Sequence, residues 1–182
     1  MHHTLKLHPD SRCSAVTDIE VEVSRPHPDT LTLRYLVSGK TDELRLPPVT
    51  LPARRNELWQ HTCLEAFVAP SSSETYYEFN LAPSTEWAAY HFSGYRDGMR
   101  IVEEVTAPHV EVQSNDEGFQ LQVSLDLSQL PTLLQGEKWR LGLSAVIEET
   151  SGRKSYWALA HPPGKPDFHH SDCFTCEVAA TR

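Results

Sequence analysis

Residues 119–127 read FQLQVSLDL, and residues 139–148 read WRLGLSAVIE. In the first stretch Phe119, Leu121, Val123, Leu125 and Leu127 alternate with Gln120, Gln122, Ser124 and Asp126. In the second, Trp139, Leu141, Leu143, Ala145 and Ile147 alternate with Arg140, Gly142, Ser144 and, at the end, Glu148. Successive side chains of an extended strand point to opposite faces. A period of two therefore predicts antiparallel strands with one face buried and one face in water. The same pattern recurs upstream, where Ile19, Val21 and Val23 alternate with Glu20, Glu22 and Ser24, and Leu31, Leu33, Tyr35 and Val37 alternate with Thr32, Arg34 and Leu36. Turn residues punctuate these runs. Ser38-Gly39-Lys40, Asn115-Asp116-Glu117-Gly118 and Ser151-Gly152-Arg153 each read as closing a hairpin. Further strands are expected over 63–69, 76–81, 86–92, 109–114 and 173–179. Helical periodicity is confined to about a turn or two, with 127–134 the best short candidate. The fold class is all-β with little helix, a sandwich or barrel of antiparallel strands.

The chain has 182 residues, no internal repeat and no low-complexity block, which reads as a single domain over 1–182 with enough chain to bury a core. Its net charge of −9 argues against a nucleic-acid footprint and against docking on anionic lipid, both of which need a basic face. The opening MHHTLKLHPD has neither the basic nor the apolar region of a secretory signal, and no long apolar run follows. The expectation is a cytoplasmic protein without membrane contact. Four cysteines, Cys13, Cys63, Cys173 and Cys176, are then expected to be reduced.

Signatures of catalysis are missing: no G-x-S-x-G elbow, no H-E-x-x-H, no phosphate-binding glycine loop. No enzyme is expected. His169, His170, Cys173 and Cys176 have zinc-ligand chemistry, with His61 and Cys63 as a second pair. However, an offset of three on a strand sends Cys173 and Cys176 to opposite faces, and Phe174-Thr175 is not turn chemistry. No metal site is expected. Cys63 reads as a buried thiol rather than a nucleophile, since His61 two residues away shares its face but stands about 7 Å off along a strand. The remaining pattern is an aromatic platform. Trp59 opens LWQHTCLEAFVAP (58–70), Glu65 and Phe67 follow in phase with Cys63, and Tyr76, Glu78 and Asn80 share one face of the next strand. Flat rings pack on the apolar faces of sugars while carboxylates and amides take the hydroxyls. Trp87, Trp139 and Trp157 continue apolar faces and read as core. Two long connections, 46–61 and 161–171, sit at strand ends where function is usually displayed.

The strings LWQHTCLEAFVAP, then YYEFNLAPSTEWAAYHF, then PDFHHSDCF resemble the DOMON-like superfamily, and within it the family 9 carbohydrate-binding modules and their standalone bacterial relatives. The resemblance runs in order from about Leu58 to the C-terminus. It implies a jelly-roll type β-sandwich with a sugar clamped between two aromatic rings. On this pattern the first ring falls on Trp59, the carboxylate on Glu65, the second ring on Phe168 where the family has Trp, and the family's Arg on Asn80. His61 stands where the modules carry acidic residues, and His61 and His169 would line the rim. The departures at Asn80 and Phe168 remove a forked donor and some stacking area. The reading is thus a non-catalytic module for a carbohydrate or sugar-containing ligand, with Trp59, Glu65, Asn80, Phe168, His61 and His169 as its site. The alternatives are a haem-binding DOMON-like domain, since ten histidines and two methionines could supply axial ligands, and a protein-interaction domain whose ligand site has decayed.

Overall fold

The computed structural model describes residues 1–133 and 137–180. Its strands are β1 (His2–Thr4), β2 (Lys6–Leu7), β3 (Val16–His27), β4 (Thr30–Gly39), β5 (Cys63–Pro70), β6 (Tyr76–Leu81), β7 (Trp87–Phe92), β8 (Arg100–Ile101), β9 (His109–Asn115), β10 (Gly118–Asp126), β11 (Trp139–Glu148), β12 (Lys154–Ala158) and β13 (Cys176–Val178). One sheet runs β1-β3-β4-β10-β9. The other runs β2-β12-β11-β5-β6-β7-β8, with β13 continuing beside β11 where β12 ends. Every pairing between these strands is antiparallel. This is the all-β antiparallel sandwich that the alternation predicts. No helix among the described residues is long and apolar enough to cross a membrane.

The core lies between the sheets. Ile19, Val21, Leu31, Leu33, Leu121 and Val123 come from the first, and Leu64, Val68, Phe79, Leu81, Leu141 and Ile147 from the second. Each such side chain contributes about 1.5–3 kcal/mol by leaving water. Trp87, Trp139 and Trp157 belong to this core, as their phase predicts. Tyr35 crosses the layer, and its buried hydroxyl donates to the backbone carbonyl of Glu65 at 2.7 Å, tying β4 to β5.

Four expectations change. The hairpin between β3 and β4 turns at Pro28-Asp29, not at Ser38-Gly39-Lys40, where the chain leaves the sheet for the 3-10 turn Thr41–Glu43. Gly39 is required there for close approach: at its φ of +155° a Cβ would lie 2.1 Å from the Ala15 carbonyl oxygen. The helix candidate at 127–134 is, through Leu133, two successive turns closed by Leu130 N–H to Leu127 O and Leu133 N–H to Leu130 O. Pro131 lacks the donor a helix would need, and Leu134 lies outside the described residues. The expected strand at 173–179 is only Cys176–Val178, because Cys173 closes the 3-10 turn Ser171–Cys173. Finally, the second sheet has no wet face along β5, β6 and most of β11. Ser144, Val146 and Glu148, read as solvent-facing or ambiguous by phase, are all buried. A second apolar cluster covers this outer face, where Cys63, Phe67, Tyr76, Tyr90, Phe92 and Val146 meet Leu58, Phe168, Cys173 and Phe174 from the long connections.

Candidate ligand-binding cleft

The outer face of the second sheet is assembled by register. Glu65 pairs across with Asn80 on one side and Ser144 on the other, and Glu78 pairs with Phe67 and Tyr90. Period two then sends Glu65, Glu78, Asn80, Tyr90, Phe92, Ser144 and Val146 to one side. Three connections rise around this floor: the 3-10 turn Leu58–Gln60, the turn after β7, and the 161–171 loop. Between them is a cleft of about 520 Å³. Glu65, Glu78 and Val146 form its floor, and Trp59, Tyr90, Phe92, Tyr156 and Phe168 its aromatic sides. Arg96, Lys154 and His169 also line it.

Four of the six site residues expected from the sequence line this cleft: Trp59, Glu65, Phe168 and His169. Trp59 remains 39% exposed and stands edge-on to Tyr90, ring centroids 6.0 Å apart. Phe168 is more enclosed than its proline-rich loop suggests, packed against Tyr156 and His161. Asn80 lies beneath the cleft, fully buried, its Nδ2 donating to Glu78 Oε1 at 2.9 Å. His61 goes elsewhere. It follows the Leu58–Gln60 turn, ahead of β5. Its Nδ1 meets Glu148 Oε2 at 2.6 Å in a separate cleft that also holds Arg45. The same buried carboxylate accepts from Arg45 at 2.8 Å, so His61 is drawn toward an ion pair and away from the aromatic cleft.

The thiols are placed by packing. Cys173 sits in the outer cluster, its Sγ donating to the Asp167 carbonyl, whereas Cys176 belongs to the core between the sheets. Among the described residues no three His, Cys, Asp or Glu side chains converge to hold a metal. Cys63 is fully buried, and burial, with the charge of Glu65, pushes its thiol well above the ordinary range, opposite to what a nucleophile needs.

Burial dominates the electrostatics of the floor. It raises the Glu65 and Glu78 carboxyls above the usual range. The charge of Glu78 adds to this at Glu65, while the Ser144 hydroxyl there and the Asn80 amide at Glu78 oppose it, with Arg96 acting on both. Burial also lowers His169 to about 4, with Arg96 adding to the effect, so the imidazole is neutral. Tyr76 Oη accepts the Arg96 N–H at 3.2 Å and lies 2.8 Å from His169 Nδ1. Tyr76 Oη and His169 Nδ1 thus share one hydrogen bond, and Nε2 stands 3.7 Å from Glu78 Oε2. Met99 lines the same cleft, but from an exposed position at its edge.

Arg96 and Asp167 are the features that sequence reading missed. Arg96 Nε and Nη2 donate to Asp167 Oδ1 at 3.1 and 2.7 Å, Tyr95 donates to Oδ2, and the His169 N–H donates to Oδ1 at 3.2 Å. This clasp joins two loops 71 residues apart across the mouth, a separation that leaves no local signal. Glu78 was legible through its phase with Tyr76 and Asn80. Tyr156 and Lys154 were not, since their strand is short and enters the site only through pairing with β11.

No protein-family model matches the sequence, and no curated protein matches it. Solved structures do match the fold. A candidate carbohydrate-binding protein from Bacteroides uniformis superposes with a TM-score of 0.73 at 13% identity, over 100% of this chain and 86% of that one. A family 9 carbohydrate-binding module from Caldicellulosiruptor kristjanssonii in complex with glucose superposes with a TM-score of 0.53 at 10% identity, covering 97% and 84%. Its complex with cellotriose gives 0.57 at 9%, covering 99% and 82%. The chain therefore has the fold of the family 9 carbohydrate-binding modules, the fold that the resemblance in its sequence implies.

Proposed function

We propose that this protein is a non-catalytic carbohydrate-binding module whose ligand occupies the cleft between Trp59, Tyr90 and Phe168. The observation that carries the reading is the build of that cleft: aromatic sides, one of them an exposed tryptophan, over a floor of buried carboxylates. Rings take the apolar faces of a pyranose, and carboxylates accept from its hydroxyls. The fold neighbours support it, being carbohydrate-binding modules that hold glucose and cellotriose. The guanidinium that the resemblance implies at position 80 is absent there, and Arg96 brings one to the cleft from a different loop.

Isothermal titration with glucose and cellotriose tests the reading. Trp59→Ala should weaken binding by about tenfold or more, since a stacked ring is worth about 1.4 kcal/mol or more in such sites. Its melting temperature should change little, because the side chain is partly solvent-exposed. Binding that is indifferent to Trp59, or no binding by any sugar, would overturn the assignment.

A further inference from the structure

The floor of the cleft holds more acceptors than donors. Glu65 and Glu78 are only 3% and 5% exposed. Ser144 Oγ donates to Glu65 Oε2 at 3.0 Å, and Asn80 Nδ2 to Glu78 Oε1 at 2.9 Å. His169 Nε2, at 3.7 Å from Glu78 Oε2, is beyond hydrogen-bond distance. Asn80 Oδ1, enclosed beside Glu65, has no donor at all among the described residues. Two carboxyl groups and an amide oxygen thus share two donors. No cation among the described residues pairs with them directly, although the charge of Arg96 acts on both from the mouth. Among the described residues His169, which is neutral, is the one basic side chain within ion-pair distance of either carboxylate. Arg96 directs Nε and Nη2 at Asp167, so its charge is matched at the mouth, and Lys154 stands at the cleft's edge with no acidic partner within ion-pair distance among the described residues. Buried carboxylates are ordinarily paired or kept protonated. Around this floor stand Trp59, Tyr90, Phe92, Tyr156 and Phe168, and aromatic walls attract cations as well as sugar faces.

A ligand that fits such a floor brings donors and a positive charge together, and an ammonium group carries three donors and no acceptor. Building on the carbohydrate reading above, we propose that the cleft is specific for an amino sugar, with the free ammonium of a hexosamine unit seated between Glu65 and Glu78 and its pyranose ring against Trp59. Arg96 and Lys154, which line the cleft, then serve the hydroxyls at the mouth. Burial of the two carboxyls adds a signature. An arriving cation favours their ionised forms, so binding expels a proton.

Three trisaccharides that differ at the C2 substituent test this: the glucosamine trimer, its fully N-acetylated form, and cellotriose. They are titrated calorimetrically at about pH 6.5, below the ordinary amine range, and at about 0.15 M salt so that the acidic surface contributes little. The glucosamine trimer should bind about tenfold or more tightly than the other two, with heats that vary with buffer ionisation as a proton is released. Glu78→Gln, which keeps the side chain's shape, should reduce that preference to within about threefold and weaken the buffer dependence, the remaining release coming from Glu65. Equal or tighter binding of cellotriose would sink the amino-sugar inference and leave the carbohydrate reading standing. Binding of choline as tight as that of the glucosamine trimer would also sink it, by showing a cation site indifferent to the sugar. If none of the trisaccharides binds, the carbohydrate reading falls as well.

Discussion

Asp167 is the residue on which the shape of the cleft's mouth depends. Although burial works against its ionisation, hydrogen bonds from Tyr95 and Arg96 hold its carboxyl below the usual carboxylate range. One side chain thereby fixes Arg96 and, through the His169 N–H, the segment that carries Phe168. Asp167→Asn keeps the shape but removes the charge. Charge-assisted hydrogen bonds are worth about 1.5–3 kcal/mol, and a half-exposed Arg96 puts this one at about 1–2 kcal/mol. A fall of a few degrees in melting temperature and a loss of sugar affinity larger than the stability change are expected, read by calorimetry of both processes. An unchanged affinity would mean that the loops hold their positions without the clasp. Glu65 illustrates what a sequence shows of a residue and what it does not. Its phase and its place in the motif were legible, but Tyr35 Oη on its backbone and Ser144 Oγ on its carboxylate come from distant strands.

At the scale of the element, β11 explains how the outer cluster closes. Gly142 faces Phe67, and a Cβ there would meet Phe67 Cβ at 3.4 Å, the Cys173 carbonyl oxygen at 3.5 Å and Phe174 Cδ2 at 3.5 Å. The absence of a side chain lets the Ser171–Cys173 turn and Phe174 lie flat on the sheet. Gly142→Ala should therefore stay within about 1 kcal/mol of the parent, whereas Gly142→Val overpacks the site and should cost about 1–3 kcal/mol in urea unfolding. Because the displaced segment adjoins His169, the valine variant should also bind ligand more weakly. A valine variant as stable as the alanine one would show that the turn can move aside freely. The alternation of β11 predicts Trp139, Leu141, Leu143, Ala145 and Ile147 as core, where all five lie. By phase its other face reads as wet, because nothing within the strand announces that loops far along the chain will cover it.

For the whole molecule, the buried ionisable groups set how stability changes with pH. Glu65 and Glu78 titrate higher folded than unfolded, so the stability they allow is full below the ordinary carboxylate range and is lost as pH rises through their folded values. His169 is lowered to about 4, so its contribution is present above its ordinary value of about 6.5 and is lost as pH falls toward 4. The two effects oppose each other below about pH 6.5, and above it the carboxylates act without that opposition. Stability should decline as pH rises from about 6.5, and Glu65→Gln should flatten the decline, as measured by urea midpoints at several pH values. A decline of the same slope in the variant would place the titrating group elsewhere.

The sequence by itself determined the sandwich, because period-two burial is a local property that each strand carries in its own side chains: β4, β10 and the core-facing half of β11 could be read without knowing their partners. It also determined that Glu65, Glu78 and Asn80 arrive near one another, since strand phase and a short β5–β6 connection leave little choice, while Trp59 joins them by the family resemblance. Only the tertiary structure decided the rest. His61 was diverted by Glu148, Arg96 was brought to the mouth by Asp167, and the outer face of the second sheet was buried by segments outside it. Those outcomes depend on side chains tens of residues apart competing for the same partners, and that competition is settled by packing in three dimensions, not by any pattern along the chain.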